Sequence, residues 1–162
     1  MRVLDAFGGR GLVWAAVQRE VRRPVDRVAI DKRRDIWDFH FHGDNERVLA
    51  AMDLATFDVV DLDAYGVPAD QIMEVARQGY RGVVFATFIQ SMTGRMPDRI
   101  LRDVGVPEGA LKAAPSLLAR RGFDFFCEWL HLIGVREIVV RSHKRKHYMM
   151  FRISDAAAPE AG

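Results

Sequence analysis

Three short apolar runs, each closing on an acid, constrain this chain more than anything else in it: "RVLD" ends on Asp5, "DRVAID" on Asp31 and "FDVVDLD" on Asp63. Between and after them the pattern changes to helical spacing or to turn residues. The first run leads through Gly8, Gly9 and Gly11 into "LVWAAVQREV", where a helix would place Leu12, Ala15, Ala16 and Arg19 on one face. The second leads to a predicted helix over "RRDIWDF" and a connection through "HGDNERVLAAM". After the third, "ADQIMEVARQG" reads as a helix closed by Gly79, and "RGVVFATFI" as a fourth strand. The segment 90–115 is rich in Gly, Pro and Met and reads as a loop with short helical pieces. "SLLARRGFDFFCEWLHLIG" reads as a helix pair or one kinked helix, and "REIVVR" and "HYMMFRI" as two strands around the basic turn "SHKRK". No internal repeat is visible.

This alternation predicts an α/β fold: a doubly wound, mainly parallel Rossmann-like sheet covered on both faces, with a C-terminal antiparallel hairpin strand at one side. Ligands of such sheets sit beyond the carboxyl ends of the strands, where Asp5, Asp31 and Asp63 emerge. With 162 residues, 49% of them hydrophobic and 28% charged, one domain over 1–154 and a disordered tail over 155–162 are expected. No apolar run approaches the roughly 20 residues needed to cross a bilayer, and the N-terminus has no signal-peptide pattern, so the expected setting is cytoplasmic with no membrane partner. The single cysteine, Cys127, lies in the apolar "FDFFCEWL" and is expected to act as a buried small hydrophobe. His40, His42 and His131 have no Cys or acid at zinc spacing and are read as surface or packing residues, with no metal expected. A formal net charge of +2 does not by itself imply nucleic acid; only the distribution of charge could.

The glycine turn suits two ligand classes, because glycines let the backbone approach a ligand and the following helix presents free N–H groups. A dinucleotide site calls for G-x-G-x-x-G, and Trp14 stands where the third glycine belongs. The pattern acid-x-Phe-x-Gly-x-Gly is met by Asp5, Phe7, Gly9 and Gly11. There the ligand is a zwitterionic amino acid joined to a nucleoside, with one acid for the ammonium and Asp31 for the ribose hydroxyls. The plainer alternative is a tight strand-to-helix turn in a protein without this ligand.

At this point the chain resembles the class I S-adenosylmethionine-dependent methyltransferases over nearly its whole length. "VLDAFGGRG" looks like their first motif, "VAID" their second, and "GDN" the stretch whose acid contacts the adenine amino group. "FDVVDLDAYGVP" is similar to the D-L-D-P-[FY]-G-S-P signature of the tRNA guanine-N2 dimethyltransferase family, through Asp61, Leu62, Asp63, Tyr65, Gly66 and Pro68; "HYMMFRI" looks like that family's closing strand. Ala64 and Val67 replace the signature's proline and serine. The resemblance implies S-adenosylmethionine as cofactor, held by Asp5, Phe7, Gly8, Gly9, Gly11, Asp31, Lys32, Asp44, Asn45 and Asp61. It implies methyl transfer to an exocyclic amine of a nucleic-acid base, RNA favoured over DNA, with Asp63, Tyr65 and Asp61 as catalytic residues. Asp61 and Asp63 are expected to point to opposite faces of their strand, one of them structural, with Asp63 placed at the strand end for the chemistry.

Two basic clusters fit a nucleic-acid substrate: Arg95, Arg99 and Arg102 after the fourth strand, and Arg141, Lys144, Arg145 and Lys146 with Tyr148 around the final turn. Of these, Arg95, Arg99, Lys144, Arg145, Lys146 and Tyr148 are the expected substrate contacts. Phe88, Gln90 and Ser91 could line the substrate pocket or be ordinary loop residues. Alternative readings are a methyltransferase for a small molecule or a protein, and a cofactor-binding protein without catalysis. A homodimer could supply a substrate-binding module.

Overall fold

The computed structural model describes residues 1–33, 40–89, 96–113 and 120–154. The predicted helix over "RRDIWDF", apart from Arg33, lies outside these residues, as do Gln90, Ser91, Arg95 and the tail. The three acid-terminated runs form β1 (Arg2–Asp5), β2 (Asp26–Asp31) and β4 (Val59–Leu62). Between the last two, the chain makes the two-residue β3 (Phe41–His42), α2 (Asn45–Ala51) and a single 3-10 turn. The expected plain connection here is therefore corrected: Asp44 caps α2 by accepting from the Glu46 and Arg47 amides, and Leu49 anchors the helix in the core. Beyond β4 come α3 (Ala69–Arg77), β5 (Val83–Ile89), α4 (Asp98–Asp103), α5 (Glu108–Ala113), α6 (Gly122–Leu132), β6 (Val135–His143) and β7 (Lys146–Ile153).

The seven strands form one sheet in the order β3-β2-β1-β4-β5-β7-β6. All neighbours from β3 to β5 are parallel, whereas β7 runs antiparallel to both β5 and β6. This is the expected doubly wound sheet with its antiparallel hairpin. Strands β2 and β3 are added on one side of β1 and β4 and β5 on the other, and the carboxyl ends of β1, β2 and β4 meet at that reversal, where such sheets bind ligands.

The two faces are covered unequally. On one, α2 to α6 place Leu49, Ile72, Val75, Ile100, Leu101, Leu111, Phe126, Trp129 and Leu130 in a core with Leu4, Ile30, Val60, Leu62, Val84, Phe88, Met149 and Phe151. On the other, α1 (Leu12–Glu20) covers a smaller cluster of Val3, Trp14 and Val59, with half-buried Val17, Val83 and Phe85 packed around it. The face shared by Leu12, Ala15, Ala16 and Arg19 is not the one that packs on the sheet: Leu12 is 70% exposed, and Trp14 is the residue that turns inward. Trp14 wins because its ring packs edge-on against Phe85 while its indole N–H finds a buried acceptor.

Three further local expectations fare differently. Gly79, at φ 66, closes α3 by donating its amide to the Ala76 carbonyl. The final hairpin is longer than its apolar runs suggest, so Lys146 lies in β7 and only Lys144 and Arg145 form the turn. Cys127 is half-buried rather than buried, and burial together with Asp124 and Glu128 pushes its thiol up to about 11. No helix among the described residues is long and apolar enough to cross a membrane.

Candidate functional site

The glycine turn after β1 is fixed by three separate requirements. A Cβ on Gly8 would stand 2.9 Å from Ala29 Cβ and 3.3 Å from the Ile30 carbonyl, so the turn can lie against β2 only without a side chain there. Gly9 and Gly11 take φ of 51° and 65°, where L side chains are strained. The Gly8 amide donates to the Ile30 carbonyl, the Gly11 amide to the Gly8 carbonyl, and the Ala15 amide to the Gly11 carbonyl, which starts α1. Gly11 is the N-cap of that helix and offers no side-chain acceptor. The first amides of α1 therefore face the cleft with their partial positive charge available to a ligand.

That cleft, about 700 Å3 in volume, opens at the carboxyl ends of β1, β2 and β4. Asp5, Phe7, Gly8, Gly9, Gly11, Asp31, Lys32, Asn45, Asp61, Asp63 and Tyr65, all expected at the site, line it together. Its size suits a nucleoside-sized ligand. Asp44 does not line it, because its Oδ1 is committed to the α2 amides; its neighbours Gly43 and Asn45 do.

Each acid has a distinct environment. Asp31 Oδ2 accepts from the Gly9 amide at 3.0 Å, and Oδ1 from the Arg33 amide at 2.8 Å, with Arg33 Nε 3.5 Å away. Burial opposes its ionisation, but these donors outweigh burial and hold its carboxyl below the ordinary value. Asp5 is buried, accepts from the Phe7 amide, and forms an ion pair of 3.0 Å with Arg27 Nε. Burial pushes Asp5 up in spite of Arg27. Arg27 also donates to the Gly8 carbonyl at 2.7 Å, which ties β2 to the turn.

Asp61 stands directly beside Asp5 in the parallel pairing of β1 and β4. Its Oδ2 accepts from Trp14 Nε1 at 2.8 Å. Burial, and then the neighbouring Asp5 charge, push Asp61 up to about 7, against the Trp14 hydrogen bond. Asp61 and Asp63 line the same cleft, and Asp63 contributes to the upward shift of Asp61. The expectation that they face opposite sides is thus corrected, because residues two apart along a strand share a face.

On the far side of the cleft the chain leaves β4 through Asp63, Ala64, Tyr65 and Gly66. The Ala64 amide donates to the Leu62 carbonyl, Gly66 takes φ 127, and the Gly66 carbonyl accepts from the Ile89 amide. Tyr65 is left 99% exposed at the rim. Lys146, the first residue of β7, reaches across to Asp63 Oδ1 at 3.8 Å, with Nζ 4.9 Å from the Tyr148 ring centre. The hairpin therefore brings Lys146 and Tyr148 to the Asp63 end of the cleft. Arg99 instead pairs with Asp70 in the first turn of α3 and does not line the cleft. Lys144 and Arg145 are exposed in the hairpin turn.

Sequence reasoning missed Arg27 and the donor role of Trp14. Arg27 had a visible signal, since it is the one cation inside the apolar run "DRVAID". Trp14 was visible only as the residue that spoiled a dinucleotide fingerprint. Among the expected histidines, His40 Nδ1 accepts from the Ala29 amide and His131 Nδ1 contacts the Val135 carbonyl, both packing roles within the fold.

No family model matches the chain, and no curated protein matches its sequence. Solved structures do match in fold. A protein from Methanococcus maripaludis named as an S-adenosyl-L-methionine-dependent methyltransferase is 12% identical, with a TM-score of 0.53 over 97% of this chain and 79% of its own. One from Escherichia coli named as a methyltransferase is 10% identical, at 0.54 over 94% and 75%. A third, from Clostridium thermocellum and named as an rRNA-methylase, is 11% identical, at 0.53 over 96% and 88%. At these identities the likeness is one of fold, and it extends over almost all of this chain.

Proposed function

We propose that this protein is an S-adenosylmethionine-dependent methyltransferase that acts on an exocyclic amine of a nucleic-acid base, RNA ahead of DNA. The observation that carries the reading is a single cleft joining the glycine turn and Asp31 on one side to Asp63 and Tyr65 on the other. The names of the fold neighbours support the reaction, and that of the Clostridium thermocellum protein supports RNA. The finer assignment, to an amine nitrogen, rests on the resemblance of the Asp61 to Pro68 stretch to the tRNA guanine-N2 dimethyltransferase family.

The residues present fit the cofactor. Gly8, Gly9 and Gly11 line the cleft with bare backbone, Asp31 offers a carboxylate at the β2 end suited to two ribose hydroxyls, and Asn45 and Gly43 line the neighbouring wall. The α1 amides suit a carboxylate, and the acids of β1 and β4 suit an ammonium. Bound there, S-adenosylmethionine would supply an electrophilic methyl group.

The chain's own part is positioning and proton handling. An aromatic amine is a poor nucleophile because its lone pair is delocalised into the ring. Asp63 accepts a hydrogen bond from the amine N–H, orients the nitrogen lone pair toward the cleft, and receives the proton that the nitrogen sheds on methylation. Tyr65, exposed at the rim, offers its ring to the base. Orientation of this kind lowers barriers by roughly 7–11 kcal/mol in favourable cases. Lys146 balances the Asp63 charge until a substrate arrives.

The test is calorimetric titration of S-adenosylmethionine into wild type and Asp31→Ala, followed by transfer of labelled methyl groups to unmodified tRNA, rRNA and DNA. Micromolar binding that Asp31→Ala abolishes, with label entering RNA, is expected. Binding without label in any nucleic acid would shift the substrate to a small molecule or protein, and no binding by folded wild type would remove the methyltransferase reading.

A further inference from the structure

Among the described residues, none covers the sheet face that carries α1 toward its antiparallel edge. Strand register aligns three rows across β5, β7 and β6 on this face: Phe85, Met150 and Val139; Thr87, Tyr148 and Arg141; Ile89, Lys146 and His143. Phe85 is the last ring that α1 reaches, through Trp14. Beyond it Met150 is 38%, Tyr148 45% and Val139 51% exposed. The nine residues of these rows include Arg141, Lys146 and His143 and no carboxylate. The third row ends at the cleft, where Lys146 meets Asp63.

We propose that this open face is a binding surface for single-stranded RNA, with Tyr148 stacking on a base, Met150 and Val139 supporting it, and Arg141 and Lys146 holding the phosphates beside it. The inference rests on the nucleic-acid reading above and extends it from the reacting base to the strand that carries it. An exposed ring flanked by cations on a rigid sheet is what single-strand binding requires, since every base has a face to stack and every nucleotide a phosphate. Charge favours this occupant over a second copy of the chain: two such faces packed together about a two-fold axis would set Arg141 and Lys146 against their own kind. Three half-exposed apolar side chains are also few beside the roughly 20–30 residues per side of a stable protein interface. Because Lys146 belongs to both the face and the Asp63 contact, a strand lying across β7 is led directly to the cleft.

The test is fluorescence polarisation of a labelled oligouridylate with full-length wild type, Tyr148→Ala, Tyr148→Phe and Arg141→Ala over a range of salt, with melting temperature and S-adenosylmethionine affinity measured on each variant as controls of folding. Tyr148→Ala is expected to weaken binding by about tenfold or more, and Tyr148→Phe to restore it. Arg141→Ala should reduce the slope of log affinity against log salt by about 0.7, one phosphate contact. Equal affinity in wild type and Tyr148→Ala, with the slope unchanged in Arg141→Ala, overturns the surface while leaving the nucleic-acid reading intact. Cofactor binding without any oligonucleotide binding or RNA methylation overturns that reading and the surface with it. A dimeric mass in light scattering that Met150→Lys returns to monomer would assign the face to a second copy and likewise overturn the proposal.

Discussion

The two sides of the cleft are built differently. On the glycine side the acids are engaged by the protein itself: Asp5 by Arg27 and the Phe7 amide, Asp31 by the Gly9 and Arg33 amides, Asp61 by the Trp14 indole. On the Asp63 side, one ion pair of 3.8 Å joins Asp63 to Lys146, and Tyr65 stands in solvent. Buried polar groups are costly unless partnered, so the first side must be complete before any ligand arrives. The second remains adaptable, which suits a substrate whose shape is not fixed in advance. Under the proposed function, the preorganised half would hold the cofactor and the open half would meet the substrate.

Breaking the built side should cost most. Asp5→Ala removes one member of the largely buried Asp5–Arg27 ion pair, a loss that costs about 3–5 kcal/mol. Urea denaturation should show this loss, and a change below about 1 kcal/mol would mean that Arg27 finds other compensation. Gly8→Ala comes next: its Cβ would meet Ala29 Cβ at 2.9 Å, an overpacking that costs about 1–3 kcal/mol and forces the turn away from β2. Cofactor binding should weaken along with stability; a variant that binds normally would show that the turn can shift without loss.

A pH titration sharpens the comparison further. Asp61 is raised to about 7 from an unfolded value near 3.8, so the native state retains a proton that the unfolded chain releases. Its contribution to stability is fully present below the unfolded value and is lost as pH rises through about 7. Asp61→Asn, which keeps an acceptor for Trp14, should melt above wild type at pH 8 and differ little from it at pH 4. Identical pH profiles would remove Asp61 from this role. The smallest effect belongs to the open side, where Lys146→Ala breaks a partly exposed ion pair worth about 1 kcal/mol or less. Its melting temperature should hardly move; a large drop would show that the hairpin is clamped rather than merely steered by Asp63.

Much of the fold was legible because its signals are local. Apolar runs of strand length ending on acids, a glycine-rich turn, and Gly79 after a periodic segment each encode their own backbone shape. The placement of Asp31 and Asp63 at strand ends followed from the parallel sheet that these runs require. What escaped depends on partners distant in sequence. No pattern within "LVWAAVQREV" says that Trp14 rather than Leu12 turns inward; that choice belongs to Phe85 and Asp61, on other strands. Nor does the basic turn announce that Lys146 sits in β7 and reaches Asp63, because the register of the hairpin against β5 decides it.

The sequence by itself therefore determined the alternation of elements, the parallel sheet and the class of cleft at its carboxyl ends, since backbone propensity and side-chain periodicity act over a few residues. Only the tertiary structure decided which acids are partnered, which shares its environment with another acid, and which sheet rows stay open. Those properties come from burial and from charge at distances of a few ångströms, between residues that lie far apart along the chain.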